Sequence, residues 1–528
     1  MDTFTLGLVV IGYLLAIGFL GYKGYRHTVN ARDYLLAGSN IHPFVMAMSY
    51  GATFISTSAI IGFGGIAGIY GMGLIWLTFL NIFVGIFIAF VFFGRRTRRI
   101  GHNLDAHTFP EFLGKRFQSR GIQITCGGII FVAMPLYAAV VLIGGARFIE
   151  SIFNIEFSVA LIFFSLVIAA YVIAGGLKGV MYTDALQATI MFLSLFFLLI
   201  VTYVKLGGIT GAHEALTNMA ALVPESLQAQ GHLGWTAFPQ FNSGWWWALT
   251  TSIILGVGIG VLAQPQLVVR FMTVKSTREL NRAVLVGGVF IFVATGFVFT
   301  VGALTNLYFY NETGQLAIQA AQGNVDLIIP EYINKAMPSW FVYLFMLALL
   351  SAGMSTLSSQ FHTMGTALGR DVVENLFPGG RINSMMITRV GVVVAILVSI
   401  IIGYQLPISI IARGTAIFFG ICAATFLPAY FASLYWKRVT RAAAKWSIFT
   451  GLFSSAFALT FLHQKESAPL GISQVIFGKD FLIETFPWMI VDPMIIAMPL
   501  SIIVLVAVSL LTPKMDEEHL EKCMKGIR

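Results

Sequence analysis

Long apolar stretches separated by short polar ones run the length of the chain, and within them apolar and polar residues do not alternate. A run of about 20 apolar residues is long enough to cross a bilayer as a helix, whereas a barrel strand would alternate along its length. The pattern predicts thirteen helical spans, at 4–22, 43–70, 73–94, 122–149, 156–176, 182–206, 245–269, 283–308, 339–369, 385–404, 407–434, 443–463 and 485–511. In lipid every backbone polar group must be satisfied within the chain, and helices do this locally.

Composition agrees: 57% of the 528 residues are hydrophobic and 10% are charged, more apolar surface than a soluble core needs. The net charge of +9 forms no basic domain that would suit nucleic acid. Instead, 26 of the 32 Lys and Arg residues fall in segments that follow odd-numbered spans. They include Arg95, Arg96, Arg98 and Arg99, Arg270 and Lys275, Arg370 and Arg381, and Lys437 and Arg438. The positive-inside rule then puts that side in the cytoplasm of a plasma (inner) membrane, with the N-terminus outside and the C-terminus inside. Segment 207–244 contains no Lys or Arg, as an external loop should. Asp2 before the first apolar run and Lys23 and Arg26 after it suit a retained first helix rather than a signal peptide. Cys126, Cys422 and Cys523 are too scattered for a disulfide framework. No HExxH, GxSxG or Cys/His cluster marks an enzyme.

Three spans carry unusual chemistry. The second, SYGATFISTSAIIGFGGIAGIYG, interleaves Ser56, Thr57 and Ser58 with several glycines, which weakens a helix and could bare carbonyls to an ion. The seventh, SIILGVGIGVLAQPQLVVR, repeats the glycine pattern five spans later and adds Pro265. Paired interrupted helices point to an inverted-repeat transporter site, while close helix packing is the competing explanation for the glycines. The ninth contains LLSAGMSTLSSQFHTMGTALGRD, where Ser355 and Thr356 place adjacent oxygens across one face. Sodium, a hard cation, suits such oxygens, although hydroxyls bonding their own helix would also fit. Among ionisable residues inside spans, Asp184 is a candidate functional charge or an interfacial helix cap.

Four stretches occur together in order: TFPEFLGKRF (108–117), GGLKGVMYTDALQ (175–187), QPQLVVRFM (264–272) and AGMSTLSSQ (352–360). On these the chain resembles the solute:sodium symporter family, over about residues 33–440. The resemblance implies an all-α, leucine-transporter-like fold of two inverted five-helix repeats plus extra helices. Residues 1–41 would be an added helix and loop, 42–206 the first repeat, 207–244 an external loop, 245–434 the second repeat, and 435–528 two further helices with a short cytoplasmic tail. It also implies a sodium site on the carbonyls of Ala52, Ile55 and Ala352 and the hydroxyls of Ser355 and Thr356, with Asp184 taking part in coupling from the inner side. Proline carriers of this family have an acidic residue where this chain has Phe54.

The function implied is import of a small organic solute across the lipid bilayer by sodium symport. Candidate substrate residues are Ser56, Thr57, Ser58, Tyr137, Val257 and Val261. Proline carriers have aromatics where Val257 and Val261 stand, so the sequence favours a pantothenate or monocarboxylate, with proline or another amino acid as the alternative. A proton-coupled carrier and an ion channel are the remaining competitors.

Overall fold

A computed structural model describes residues 3–26, 35–37, 40–172, 177–377 and 384–527. Residues 173–176 of the fifth expected span, and Asp2, Arg32, Arg381 and Arg528, lie outside them. Within the described residues the chain is helical, apart from loops and one isolated bridge between Ile41 and Val274.

Among the described residues ten helices are long and apolar enough to cross a membrane, or eleven if the bent pair Ile411–Thr425 and Leu427–Tyr435 is taken as one span. The shorter apolar helix Phe157–Ala169 adds another, and the helical stretch Ser58–Asn103 joins half of the second expected span to the third. Thirteen is thus an approximate count, because broken and fused helices blur it. Lipid-facing side chains ring the bundle, Phe453 and Leu285 being 71% and 75% exposed. In water so much exposed apolar surface would drive aggregation; in a bilayer it is solvated.

Several boundaries depart from expectation. The ninth span runs on to Leu376 as Ser339–Leu376. The last begins at Met494 rather than 485, because Pro493 caps it and the preceding segment carries Lys479, Asp480, Glu484 and Asp492. The second span is Pro43–Phe54, then a break, then helix again over 58–70. His42 starts it, its Nδ1 accepting the Phe44 N–H at 3.3 Å, and Ile55 ends its first half in extended backbone (φ −86°, ψ 97°).

The seventh span breaks elsewhere than its glycines suggest. The chain stays helical through Gly256, Gly258 and Gly260 and turns extended at Gln264 (φ −69°, ψ 114°), the residue before Pro265. Proline crowds the residue ahead of it out of the helical region. The glycines serve packing: a Cβ on Gly260 would strike the Phe419 carbonyl, and one on Gly65 the Val325 carbonyl.

At the core, the sixth span (Leu177–Lys205) packs on both Pro43–Phe54 and the ninth, and the first span packs on the sixth. Tyr13 of the first span ties the sixth and ninth together, its hydroxyl 3.0 Å from Ser351 Oγ and accepting from Gln187 Nε2 at 3.2 Å. The basic segments meet at one end of the bundle. Arg98 donates to the Val274 carbonyl, Arg99 to that of Lys525, Arg438 to that of Thr512 and Arg441 to that of Phe117. At the other end, short helices between 209 and 228 lay Leu216 and Met219, and the loop after them Trp235, on Leu304 and Leu307. Trp235 Nε1 donates to the Gly68 carbonyl at 3.1 Å, seating this loop on the far end of the second span.

Candidate functional site

Where Pro43–Phe54 ends, the ninth span lies against it. Ser355 Oγ donates to the Ala52 carbonyl at 2.9 Å and to its own helix at Ala352 at 3.2 Å. Thr356 Oγ1 donates to the Thr53 carbonyl at 3.1 Å and lies 3.4 Å from that of Ala52. Four of the five expected ion donors are therefore linked directly. The fifth, Ile55, is the extended residue that closes the same half-helix, and all five are buried.

Breaking the helix here leaves its last carbonyls without the N–H groups a further turn would supply. Ser355 and Thr356 supply hydrogens in their place. All five donors are neutral oxygens. Turning two hydroxyl hydrogens outward would leave lone pairs converging from both helices, a donor set suited to a hard monovalent cation.

Below this cluster lies a buried ion pair that sequence spacing did not bring together. Arg270, expected in a cytoplasmic loop, is 1% exposed, and the two hydrogens of its Nη2 are shared among Asp184 Oδ2 at 3.1 Å, Thr53 Oγ1 at 2.5 Å and Ser359 Oγ at 2.7 Å. Nη1 donates to the Gln266 carbonyl at 2.6 Å, and Nε to Ser49 Oγ at 3.1 Å. Ser49 donates in turn to Asp184 Oδ2 at 2.7 Å. Asp184 sits well inside a helix that starts at Leu177, so it is no interfacial cap. Arg270 escapes a reading by hydropathy because the break before Pro265 looks in sequence like the end of a span. Instead the chain re-enters helix over Pro265–Val268 and Val269–Met272 and brings the guanidinium back under the second span.

On the other side of the break a cavity opens between the second, third, fourth, seventh, eighth and eleventh spans. Ser56, Tyr137 and Val257 line it, as expected of substrate residues. Thr57, Ser58 and Val261 do not. Thr57 Oγ1 turns away to the Val141 carbonyl at 2.5 Å, Ser58 is buried without lining the cavity, and Val261 packs against Gly85. This follows from the break itself, because successive residues of a turn point in different directions. Tyr137 stacks on Phe418 at 5.4 Å and meets Phe419 edge-on at 5.4 Å. Phe54, the departure from the proline-carrier pattern, lines the cavity too.

Asn81, Thr295 and Thr415 are lining residues not expected from the sequence, and the Oδ1 of Asn81 is buried without a partner. Asn81 is the lone amide of the third span, a signal available in the sequence. Arg147 stands apart from the cavity, paired with Glu150 at 2.8 Å and stacked over Phe157.

A broken helix cross-linked by hydroxyls, beside a largely apolar cavity, is a transporter arrangement. The profile of the Sodium:solute symporter family (SSF) matches residues 34–451. The chain belongs to the sodium:solute symporter family. Like the family it is a membrane transporter and not an enzyme. This symporter is 27% identical over 474 residues to the osmoregulated proline transporter OpuE of Bacillus subtilis (strain 168), covering 88% of this chain and 90% of that one. It is 26% identical to the sodium/proline symporter of Escherichia coli (strain K12), covering 89% of each. Among solved structures it is similar to a Na+-coupled sialic acid symporter in a substrate-bound outward-open state, with a TM-score of 0.75, 18% identity and coverage of 97% and 98%. That likeness establishes the inverted-repeat fold expected from the sequence.

Proposed function

We propose that this symporter imports a small amino acid of the proline type together with sodium, the ion bound by Ala52, Ile55, Ala352, Ser355 and Thr356. The observation that carries the coupling is the pair of hydroxyls from the ninth span on the Ala52 and Thr53 carbonyls at the break of the second. An ion held there has higher affinity for the conformation that presses the two spans together, and that difference is the means by which a gradient drives a conformational change. Asp184 and Arg270 share Thr53 and Ser359 with this region and would report its state to the inner side.

Proline is favoured by the named relatives and by the cavity. Its aromatic and aliphatic wall suits a pyrrolidine ring, the hydroxyl of Ser56 can donate to a carboxylate, those of Thr295 and Thr415 can do so on release from the Ile291 and Ile411 carbonyls, and the free Asn81 Oδ1 can accept from the ring ammonium. A monocarboxylate or pantothenate is the second reading. It is supported by Val257 and Val261, where proline carriers have aromatics. Thr57, Ser58 and Val261 are assigned no direct substrate contact in either reading.

The energetics suffice. A tenfold sodium gradient supplies about 1.4 kcal/mol and a potential of about 100 mV about 2.3 kcal/mol per charge, together supporting roughly 500-fold accumulation of a neutral solute per ion. The convergence of basic segments at one end of the bundle supports a cytoplasmic assignment for that end in a plasma membrane, with two repeats at 42–206 and 245–434.

The test is uptake by proteoliposomes of labelled proline, pantothenate, acetate, pyruvate and glucose, with and without an inward sodium gradient. Saturable, sodium-driven proline uptake is expected. Sodium-driven uptake of pantothenate or acetate without proline would establish the second reading, and uptake indifferent to sodium would refute the coupling.

A further inference from the structure

A second, small cavity lies beneath the Asp184–Arg270 pair on the basic side of the bundle. Arg270 and Ser359 form its inner end, and Thr108 and Asp371 are among its other lining residues. Along the ninth span, Thr356, Ser359, Thr363 and Thr366 recur at steps of three and four, one face of a helix, and the last three line this cavity. The hydroxyl stripe thus descends from the proposed ion site to Asp371, fifteen residues below Thr356 or about 22 Å at 1.5 Å per residue.

Two carboxylates stand at the lower end, and they are treated differently. Glu111, on the short helix Phe109–Arg116, receives Arg370 on both oxygens at 3.0 and 3.1 Å and Lys115 at 2.9 Å. Burial would raise its pKa, but hydrogen bonds from His107 and Arg370 hold it well below the usual carboxylate range. Asp371 is fully buried, yet among the described residues no Lys, Arg or His lies within ion-pair distance of it. Its Oδ1 accepts Thr108 Oγ1 at 2.7 Å and Gln123 Nε2 at 2.8 Å, while its Oδ2 has no partner. Gln266 Oε1, from another wall of the same cavity, is also buried and unpartnered. A buried charge without a counter-ion is costly, and two orphaned acceptors facing one cavity call for a positive ligand.

We propose that Asp371 is a transient site for the transported alkali cation on its way to the cytoplasm, reached from the Ser355–Thr356 site along the Ser359, Thr363 and Thr366 hydroxyls. This rests on the sodium-symport reading above. Oδ2 supplies the charge, the threonine oxygens and entering water complete the shell, and Arg270 stands between the two sites. A carboxylate shared with two hydrogen-bond donors holds the ion weakly enough to release it.

The experiment uses the full-length protein in proteoliposomes, with proline uptake as signal where the wild type transports it, or the solute found by the panel above. External sodium is varied at zero internal sodium, and internal sodium is then varied to inhibit uptake from behind. Asp371→Asn keeps an oxygen for Thr108 and Gln123 but removes the charge. It should raise the internal sodium giving half-inhibition about tenfold and leave the external half-saturation within about twofold. Asp371→Glu should stay near the wild type. Thr108→Val and Gln123→Leu, which remove the structural bonds and keep the charge, should change internal inhibition little. Should Asp371→Asn yield too little folded protein, Thr363→Val with Thr366→Val must shift internal inhibition the same way. Unchanged internal inhibition in Asp371→Asn, or in Thr363→Val with Thr366→Val where that pair is measured in its place, or an equal shift in Thr108→Val, overturns the proposal in favour of a purely structural carboxylate. Sodium-independent uptake by the wild type would instead refute the symport reading itself.

Discussion

Ser355 and Thr356 were legible as candidate ion ligands from residue type and spacing, but helix packing fitted the same letters. Their hydrogen bonds reach across to Ala52 and Thr53 of another span, so they are more than hydroxyls bonded to their own helix. Replacing Thr356 by Ala removes one of the five proposed donors, and the external sodium needed for half-maximal uptake should rise about tenfold or more, read from sodium titrations of uptake. Arg270 was illegible at this scale, because nothing in its neighbours says that the chain turns back into helix after Pro265. Its pairing with Asp184 makes a thermodynamic prediction. Asp184→Asn or Arg270→Gln alone leaves a buried partner uncompensated and should destabilise the folded protein by about 3–5 kcal/mol, whereas the double variant should lose less than the sum. Melting of the detergent-purified proteins, followed as a double-mutant cycle, measures this.

Among the elements, the existence of two interrupted helices was readable and the sites of interruption were not. Glycine density marked the right spans, but the breaks fall at Ile55 and Gln264, and the glycines nearby are contact points between backbones. Propensity alone cannot separate these uses, since a glycine that admits a neighbour and one that loosens a turn look alike in sequence. Gly260→Ala and Gly65→Ala should each push apart helices that now touch through a carbonyl, costing about 1–3 kcal/mol. Gly128→Ala, inside the helix Arg120–Phe153 with no atom within 4 Å of where its Cβ would stand, should leave stability unchanged or raise it by up to about 1 kcal/mol. Thermal unfolding of the three variants in one detergent checks both claims. The cavity was half legible for the same reason: a broken turn fans Ser56, Thr57 and Ser58 in different directions, and of the three only Ser56 lines it.

For the whole molecule, hydropathy carried most of the fold, because a bilayer imposes span length on a sequence, while the placement of Lys and Arg is the basis for the proposed sidedness. What hydropathy could not supply was the assembly of distant segments, such as the seventh span's tail beneath the second. Sidedness is directly testable. A cysteine replacing Glu214, in the loop seated on Gly68, should react with a membrane-impermeant maleimide in intact cells, and one replacing Glu518, near the C-terminus, should react only after permeabilisation. The junction of the second and ninth spans is where sodium is proposed to drive transport, and every other functional assignment depends on it. The most direct measurement is the sodium dependence of solute uptake by proteoliposomes holding the wild type or Ser355→Ala with Thr356→Ala. Sodium-driven accumulation is expected in the wild type and, in the double variant, uptake that no longer responds to a sodium gradient although the protein is folded. Equal sodium responses in the two proteins would place the coupling site elsewhere.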